Sequence, residues 1–182
     1  KITDGGIIAD RLTELETRLS ALASTTDIIV TTGGASVGDH DLVQAALRNI
    51  GADMDFWKVA MRPGKPVMAG KIGKTIVLGL PGNPSSAFVT AFLFLLPLIR
   101  HMAGSLSPLP EVFEAKADNA LFAGGSRTEY LRARVEGGAI TAFTSRDSGL
   151  VSPLSHSNAL IIRDVDAPAT PSGAVAQYHR LF

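Results

Sequence analysis

No cysteine occurs in the 182 residues, which excludes disulfides, zinc–thiolate centres and thiol nucleophiles together. Net charge is missing too. The 17 Lys and Arg balance the 17 Asp and Glu, so no overall field draws the chain to nucleic acid or membrane, and neither is expected as a partner. His40, His101, His156 and His179 show no metal-ligand spacing. There is no internal repeat and no low-complexity tract. The chain opens at Lys1 with neither a methionine nor a secretory apolar segment, and it is expected to start within a longer protein. A membrane-length apolar run is also lacking. Ala87 to Ile99 is almost wholly apolar but contains Pro97 and stops at Arg100, short of the ~20 residues that a bilayer crossing needs. It is expected as a core helix.

What is present is a globular composition, 46% hydrophobic and 19% charged, enough for one large domain or two small ones. Leu12, Leu15, Leu19 and Leu22 share one helical face, so Asp10 to Ala23 is expected as an amphipathic helix. Asp10 could cap it, or Thr13 with Glu16 in a capping box. Asp27 to Thr32 reads as a buried strand entering a glycine-rich loop, Gly33 to Asp41, and a second helix runs to Ile50 with Gly51 at its C′ position. Phe56 to Met61 alternates as a strand, and Arg62 to Pro66 is a proline-bounded turn. Val67 to Ala69 and Thr75 to Leu80 are further strands, joined by a turn at Gly70 to Lys74.

This alternation predicts an α/β fold: a doubly wound, mostly parallel sheet with helices on both faces. Gly104 to Pro110 has linker composition. Only strands are expected beyond it: Val112–Ala117, Thr128–Val135, Ala139–Phe143, Ala159–Arg163 and Ala174–Tyr178, with a hairpin at Gly137-Gly138. They predict a small all-β, barrel-like module. The expected domains are residues 1–106 and 107–182.

Charge is unevenly spread. Residues 56–110 contain Lys58, Arg62, Lys65, Lys71, Lys74 and Arg100 but no acid, and this block runs up to the loop Leu80-Pro81-Gly82-Asn83-Pro84-Ser85-Ser86-Ala87. Two prolines stiffen that loop, and Gly82 and Asn83 tolerate unusual backbone angles. It reads either as an anion-binding turn at a helix start or as a plain connection in which Ser85 or Ser86 caps the helix. Gly33, Gly34, Ser36 and Gly38 form a second loop able to bring backbone N–H groups to an oxyanion. Both loops leave strands directly, so they are expected at one crevice outside the strand ends. Asp41, with Asp10, could hold Mg²⁺ on a phosphorylated ligand, or each could be a helix cap. Lys58 and Arg62, four apart on one alternating strand, would face one way and suit a dianion; Lys65 sits between prolines, which fixes its backbone. The serines read as ligand contacts, since no serine–histidine–acid arrangement is evident.

In series, Thr31 to Asp41, Phe56-Trp57-Lys58, Arg62 to Pro66 and Leu80 to Ser86 resemble the molybdopterin molybdenumtransferases, the MoeA-type family that includes the gephyrin E domain. The likeness continues through Gly125 to Arg132 and Ser157 to Ile161. Each motif is unspecific alone; together they are specific.

The resemblance implies a MogA-like α/β domain, incomplete at its N-terminal side, followed by the β module. It implies insertion of molybdate into adenylylated molybdopterin, with Mg²⁺-dependent release of AMP, in a cytoplasmic homodimer that receives its substrate from a molybdopterin adenylyltransferase. Asp10 and Asp41 match acidic positions around metal and adenylate, Lys58 matches a family lysine, and Pro81 and Pro84 match the prolines of the active-site loop. Arg62 stands where lysine is usual. Arg127 and Ser148 match positions near molybdate. Members of the family are longer, and the missing N-terminal part supplies dimer and active-site groups, so this chain resembles the C-terminal half and is expected to have little activity alone. Two alternatives share part of the pattern: a molybdopterin adenylyltransferase and a non-catalytic, gephyrin-like scaffold domain.

Overall fold

The structure, a computed structural model, describes residues 1–34, 42–143 and 152–182. The chain divides into two compact units. One comprises Lys1–Val59 and Pro66–Gly82; the other comprises Ala60–Lys65 and Asn83–Phe182.

In the first unit, the helix α1 (Leu12–Ala23) buries Leu15 and Leu19, as its periodicity requires. Neither expected cap forms. Arg11 is the N-cap residue without a side-chain bond, and its guanidinium pairs with Glu14 at 2.6 Å instead. The strand β1 (Ile28–Thr32) is followed by α2 (Leu42–Asn49), which ends as expected at Gly51 with φ +77°. Next come β2 (Asp53–Phe56), β4 (Met68–Ile72) and β5 (Thr75–Leu80). The sheet order is β1-β5-β4-β2. Only β1 and β5 are parallel, while β5–β4 and β4–β2 are antiparallel. The sheet is therefore mixed rather than mostly parallel, because the turn at Gly73 and Lys74 is too short for a crossover. Ile29, Met68 and Val77 form one core cluster with Leu15, Leu19, Ala46 and Leu47. Within this unit, α1 and α2 thus pack into one shared cluster.

The second unit takes its first strand from earlier in the chain. β3 is the pair Met61–Arg62, so the single strand expected over Phe56 to Met61 does not exist. The chain leaves one sheet at Phe56 and enters another at Met61, which removes the parity argument for Lys58 and Arg62. β6 (Phe113–Ala117), β7 (Thr128–Glu136), β8 (Ala139–Ala142), β9 (Ala159–Arg163) and β10 (Val175–Arg180) match the five expected strands to within two residues. Their order β7-β8-β6-β10-β9 closes on itself through a β7–β9 pairing, and β3 joins β7 in parallel. The result is a small closed barrel, filled by Ala117, Ala133, Ile140, Ala159, Ile161 and their neighbours. Gly137 and Gly138, at φ +58° and +84°, make the β7–β8 hairpin turn.

The apolar run is one helix from Pro84 to Met102, in three parts: α3 (Pro84–Thr90), a π-helical turn (Ala91–Leu95) and α4 (Leu96–Met102). Pro97 lacks an N–H and crowds the preceding turn, and the wider π turn sits just ahead of it. At 19 residues it is, among the described residues, long and apolar enough to cross a membrane by length and composition. The helix is thus longer than the apolar run Ala87 to Ile99, and length and composition alone do not make it a membrane span. Nor is it uniformly core: 28% of its apolar window is buried, with Phe88, Ile99 and Met102 exposed.

Candidate functional site

In the first unit, the parallel β1–β5 pair sets two loops side by side. Thr32 is in register with Leu80, and the Gly33 N–H donates to the Leu80 carbonyl at 3.2 Å. The chain then rises through Gly33 and Gly34, at φ +80° and +65°, angles that favour glycine. Across from them, a Cβ on Gly82 would lie 3.4 Å from the Gly33 Cα, so the two loops touch at their glycines. This brings Gly33, Gly34, Pro81 and Gly82 together outside the strand ends, the position expected for them. Ser36, Gly38 and Asp41 lie outside the described residues. Asp10 is exposed and caps no helix, and Lys58 is exposed between β2 and β3. Lys71, counted in the basic block, pairs with Asp53 across β2–β4 at 3.4 Å. Arg48 stacks over Trp57, its guanidinium carbon 5.2 Å from the ring centroid.

In the second unit, Asn83 settles the helix start. Its side chain accepts from the Ser86 N–H at 3.1 Å. The cap is therefore Asn83, not Ser85 or Ser86. Its backbone, at φ −73° and ψ 124°, is ordinary extended chain, and Gly82 has no positive φ either. The unusual angles expected at these two residues are not used. Pro84 has no N–H and the Ser86 amide is taken by the cap, so the turn offers an anion fewer donors than its sequence suggests. Upstream, Gly64 at φ +105° packs so closely on α3 that an added Cβ would overlap the Thr90 side-chain methyl. Thr90 is fully buried, and its hydroxyl donates to the Ser86 and Ala87 carbonyls at 2.8 and 3.0 Å. Lys65 follows Gly64 and is exposed.

A cavity of about 60 Å³ opens in this unit, lined by Arg62, Ser85, Glu129, Tyr130 and Arg132 together with apolar groups such as Leu121. At ~10–15 Å³ per water, it has room for a few waters or one small tetrahedral anion. Arg62 and Glu129 are register partners in the parallel β3–β7 pair, and their charged groups approach to 3.6 Å. Arg132 and Ser85 are buried, at 7% and 1% exposure. Burial, and secondarily the Asp164 carboxylate, push the Tyr130 phenol above its ordinary value. The Tyr130 ring stacks on the buried His179 ring, centroids 6.1 Å apart. Arg127 is half-buried just ahead of β7. Ser148 lies outside the described residues.

Of the sequence-derived candidates, the cavity thus gathers Arg62 and Ser85. Glu129, Tyr130 and Arg132 were not singled out. The signal that could have found them is the opposite charges of Glu129 and Arg132 within one strand segment, Thr128 to Val135, where an ionised side chain that becomes buried is costly unless paired. Among the described residues, no group of three His, Asp or Glu side chains is arranged to hold a metal. Mg²⁺ commonly takes one or two carboxylates plus substrate phosphates and waters, and Asp10 and Asp41 are donors of that type.

The fold is an α/β unit with glycine loops paired at its strand ends, and a small closed barrel. Residues 1–101 match the family described as "probable molybdopterin binding domain", and residues 114–181 match "MoeA C-terminal region (domain IV)". The chain belongs to this molybdopterin-binding, MoeA-type family. A molybdopterin molybdenumtransferase of Haemophilus influenzae is 40% identical over 104 residues, covering 57% of this chain and 26% of that protein. One from Staphylococcus aureus (strain COL) is 32% identical over 140 residues, covering 75% and 33%. One from a Nostoc species is 36% identical over 130 residues, covering 69% and 30%. The chain thus spans roughly a quarter to a third of the length of the curated relatives it matches. The solved molybdopterin biosynthesis MoeA protein of Pyrococcus horikoshii superposes with a TM-score of 0.81 at 21% identity, over 98% of this chain and 43% of that one.

Proposed function

We propose that the protein acts in molybdenum cofactor biosynthesis as a molybdotransferase, inserting molybdate into adenylylated molybdopterin with release of AMP. The observation that carries this reading is the cavity of the second unit. It is the size of a small tetrahedral anion and is lined by two arginines, Arg62 and the buried Arg132. A partly buried guanidinium pairs with an oxyanion better than the same group does in bulk solvent, and Arg132 is buried while Arg62 is half-exposed. The chain's similarity to molybdopterin molybdenumtransferases supports molybdate as that anion.

In the first unit, the Gly33–Gly34 and Pro81–Gly82 loops would receive the pterin phosphates through backbone donors, with Ser36 and Gly38 as further contacts; in the second unit, Asn83, Pro84 and Ser85 would contact the ligand at the helix start. Lys58 and Lys65 would offset the mutual repulsion of the bound anions, and Arg127 and Ser148 would contact molybdate. Asp10 and Asp41 would hold Mg²⁺, which when bound polarises the phosphoanhydride. The reading extends to a homodimer that takes its substrate from a molybdopterin adenylyltransferase in the cytoplasm, and to a functional division into residues 1–106 and 107–182.

Calorimetric titration with molybdate tests this. The unaltered protein is expected to bind molybdate, and Arg62→Ala is expected to weaken binding about tenfold or more, the loss of one charge-assisted contact. Equal affinity in the two proteins contradicts the reading.

A further inference from the structure

We propose that Glu129 is the positioning residue for Arg62, its carboxylate fixing the direction in which the guanidinium meets the anion. This rests on the reading of the cavity as the molybdate site.

A carboxylate lining a site for anions is at first sight misplaced, because it repels the ligand. Burial adds to the difficulty: the Glu129 side chain is 8% exposed, whereas the Arg62 side chain is 42% exposed. Removing a carboxylate from water costs several kcal/mol before any partner is counted, and an apolar residue of similar size is often neutral or stabilising in its place. Glu129 is the second residue of β7, which continues through Tyr130, Leu131, Arg132 and Ala133 into the barrel wall. A charged side chain buried at that place calls for a reason.

Geometry gives one. β3 is only two residues long, and its second residue, Arg62, is paired in register with Glu129 of β7. The backbone of Arg62 is thereby tied to that of its own counter-charge. An arginine side chain has wide rotamer freedom, and a charge partner at a fixed place in the fold narrows it. A buried, immobile carboxylate 3.6 Å from Nη1 holds the head group over the cavity that both residues line. A planar guanidinium needs this more than an ammonium does. Its donors lie in a fixed fork and must be aimed, whereas lysine presents a rotatable point charge. The buried glutamate and the arginine at position 62 thus make sense as a pair.

The test compares Glu129→Gln, Glu129→Asp, Arg62→Ala, Arg62→Lys and the double variant Arg62→Lys/Glu129→Gln in the full protein. Molybdate affinity is read by calorimetry, the Michaelis constant for adenylylated molybdopterin by AMP release, and fold by the thermal midpoint. Glu129→Gln is expected to weaken molybdate binding about tenfold, the scale of one charge-assisted contact. It should leave the pterin Michaelis constant and the thermal midpoint unchanged. Glu129→Asp, which keeps the charge but is shorter, should fall between, and it carries the test if the glutamine variant does not fold. In the Arg62→Lys background, Glu129→Gln should add less than about a twofold loss, because the coupling is to the fork. Unchanged or tighter molybdate binding in Glu129→Gln overturns the proposal, as does a loss equal in both backgrounds. If Arg62→Ala itself binds molybdate normally, the reading of the cavity fails instead, so the two failures are distinguishable.

Discussion

The Gly33 N–H donates to the Leu80 carbonyl at 3.2 Å, extending the β1–β5 pairing one step past its last register pair, Thr32 and Leu80. That bond brings two glycine-containing loops, far apart in sequence, into contact where adjacent parallel strands end. An α/β sheet places ligands at such a junction.

The contact sets the first prediction. Gly33→Ala puts a side chain at φ +80°, a conformation that costs an L-residue ~1–2 kcal/mol. Gly82→Val sets a Cβ in van der Waals contact with the Gly33 Cα at 3.4 Å and adds two γ-methyl groups where the loops meet. Urea unfolding should register about 1 kcal/mol for Gly33→Ala. Adenylylated molybdopterin binding should fall in both variants, and normal binding by Gly82→Val would count against the shared crevice.

Gly64 is constrained twice, by φ +105° and by the Thr90 methyl where a Cβ would go. Gly64→Ala should therefore destabilise by about 2–4 kcal/mol, from overpacking and backbone strain together. Thr90→Ser removes the obstructing methyl but not the φ constraint, so in that background the cost should drop without vanishing. Chemical denaturation of the four proteins in the cycle measures the difference, and strict additivity would exclude the steric part.

Arg163 is buried and ties down the segment after β9. Nη1 donates to the Thr170 hydroxyl at 2.7 Å, and Nη2 donates to the carbonyls of Phe122, at 3.0 Å, and Pro168. Arg163→Met keeps the stem and removes the three hydrogen bonds of this buried guanidinium, with an expected loss of about 2–4 kcal/mol. Thr170→Val should lose only about 1 kcal/mol. Equal losses in the two variants would show that the carbonyl contacts contribute nothing.

Tyr130 supplies a pH dependence. Its phenol is held above the ordinary value by burial first and by Asp164 second, so the fold favours the neutral form. That contribution is fully present below the unfolded value near pH ~10 and is lost as pH rises through the higher folded value. Stability should therefore decline above about pH 10, and Tyr130→Phe should flatten the decline. An identical alkaline profile in the variant refutes the assignment.

Much of this was legible in the chain. The run Thr128–Val135 and the glycines at 137 and 138 mark the longest strand and its hairpin, because strand propensity and turn chemistry are local properties. The adjacency of the Gly33 and Leu80 loops followed from two short apolar runs, each running directly into a loop; β5 is buried along nearly its whole length, β1 only at Ile29. What failed was long-range. Phe56 to Met61 alternates like one strand, yet the chain changes sheets between Phe56 and Met61, and periodicity carries no record of which sheet a residue joins. The pairing of Arg62 with Glu129 was invisible for the same reason: 66 positions separate register partners on a two-residue strand. The cap went to Asn83 rather than to either serine because both serines lie inside the helix that begins at Pro84.

The central claim is molybdate insertion, and it is tested most directly by adding molybdate and Mg²⁺ to the full protein with adenylylated molybdopterin and measuring AMP. The account expects AMP to appear only when molybdate is present, and Asp41→Ala to abolish it while leaving the thermal midpoint unchanged. No AMP from the unaltered protein, or formation of the adenylate from ATP in its place, would contradict it.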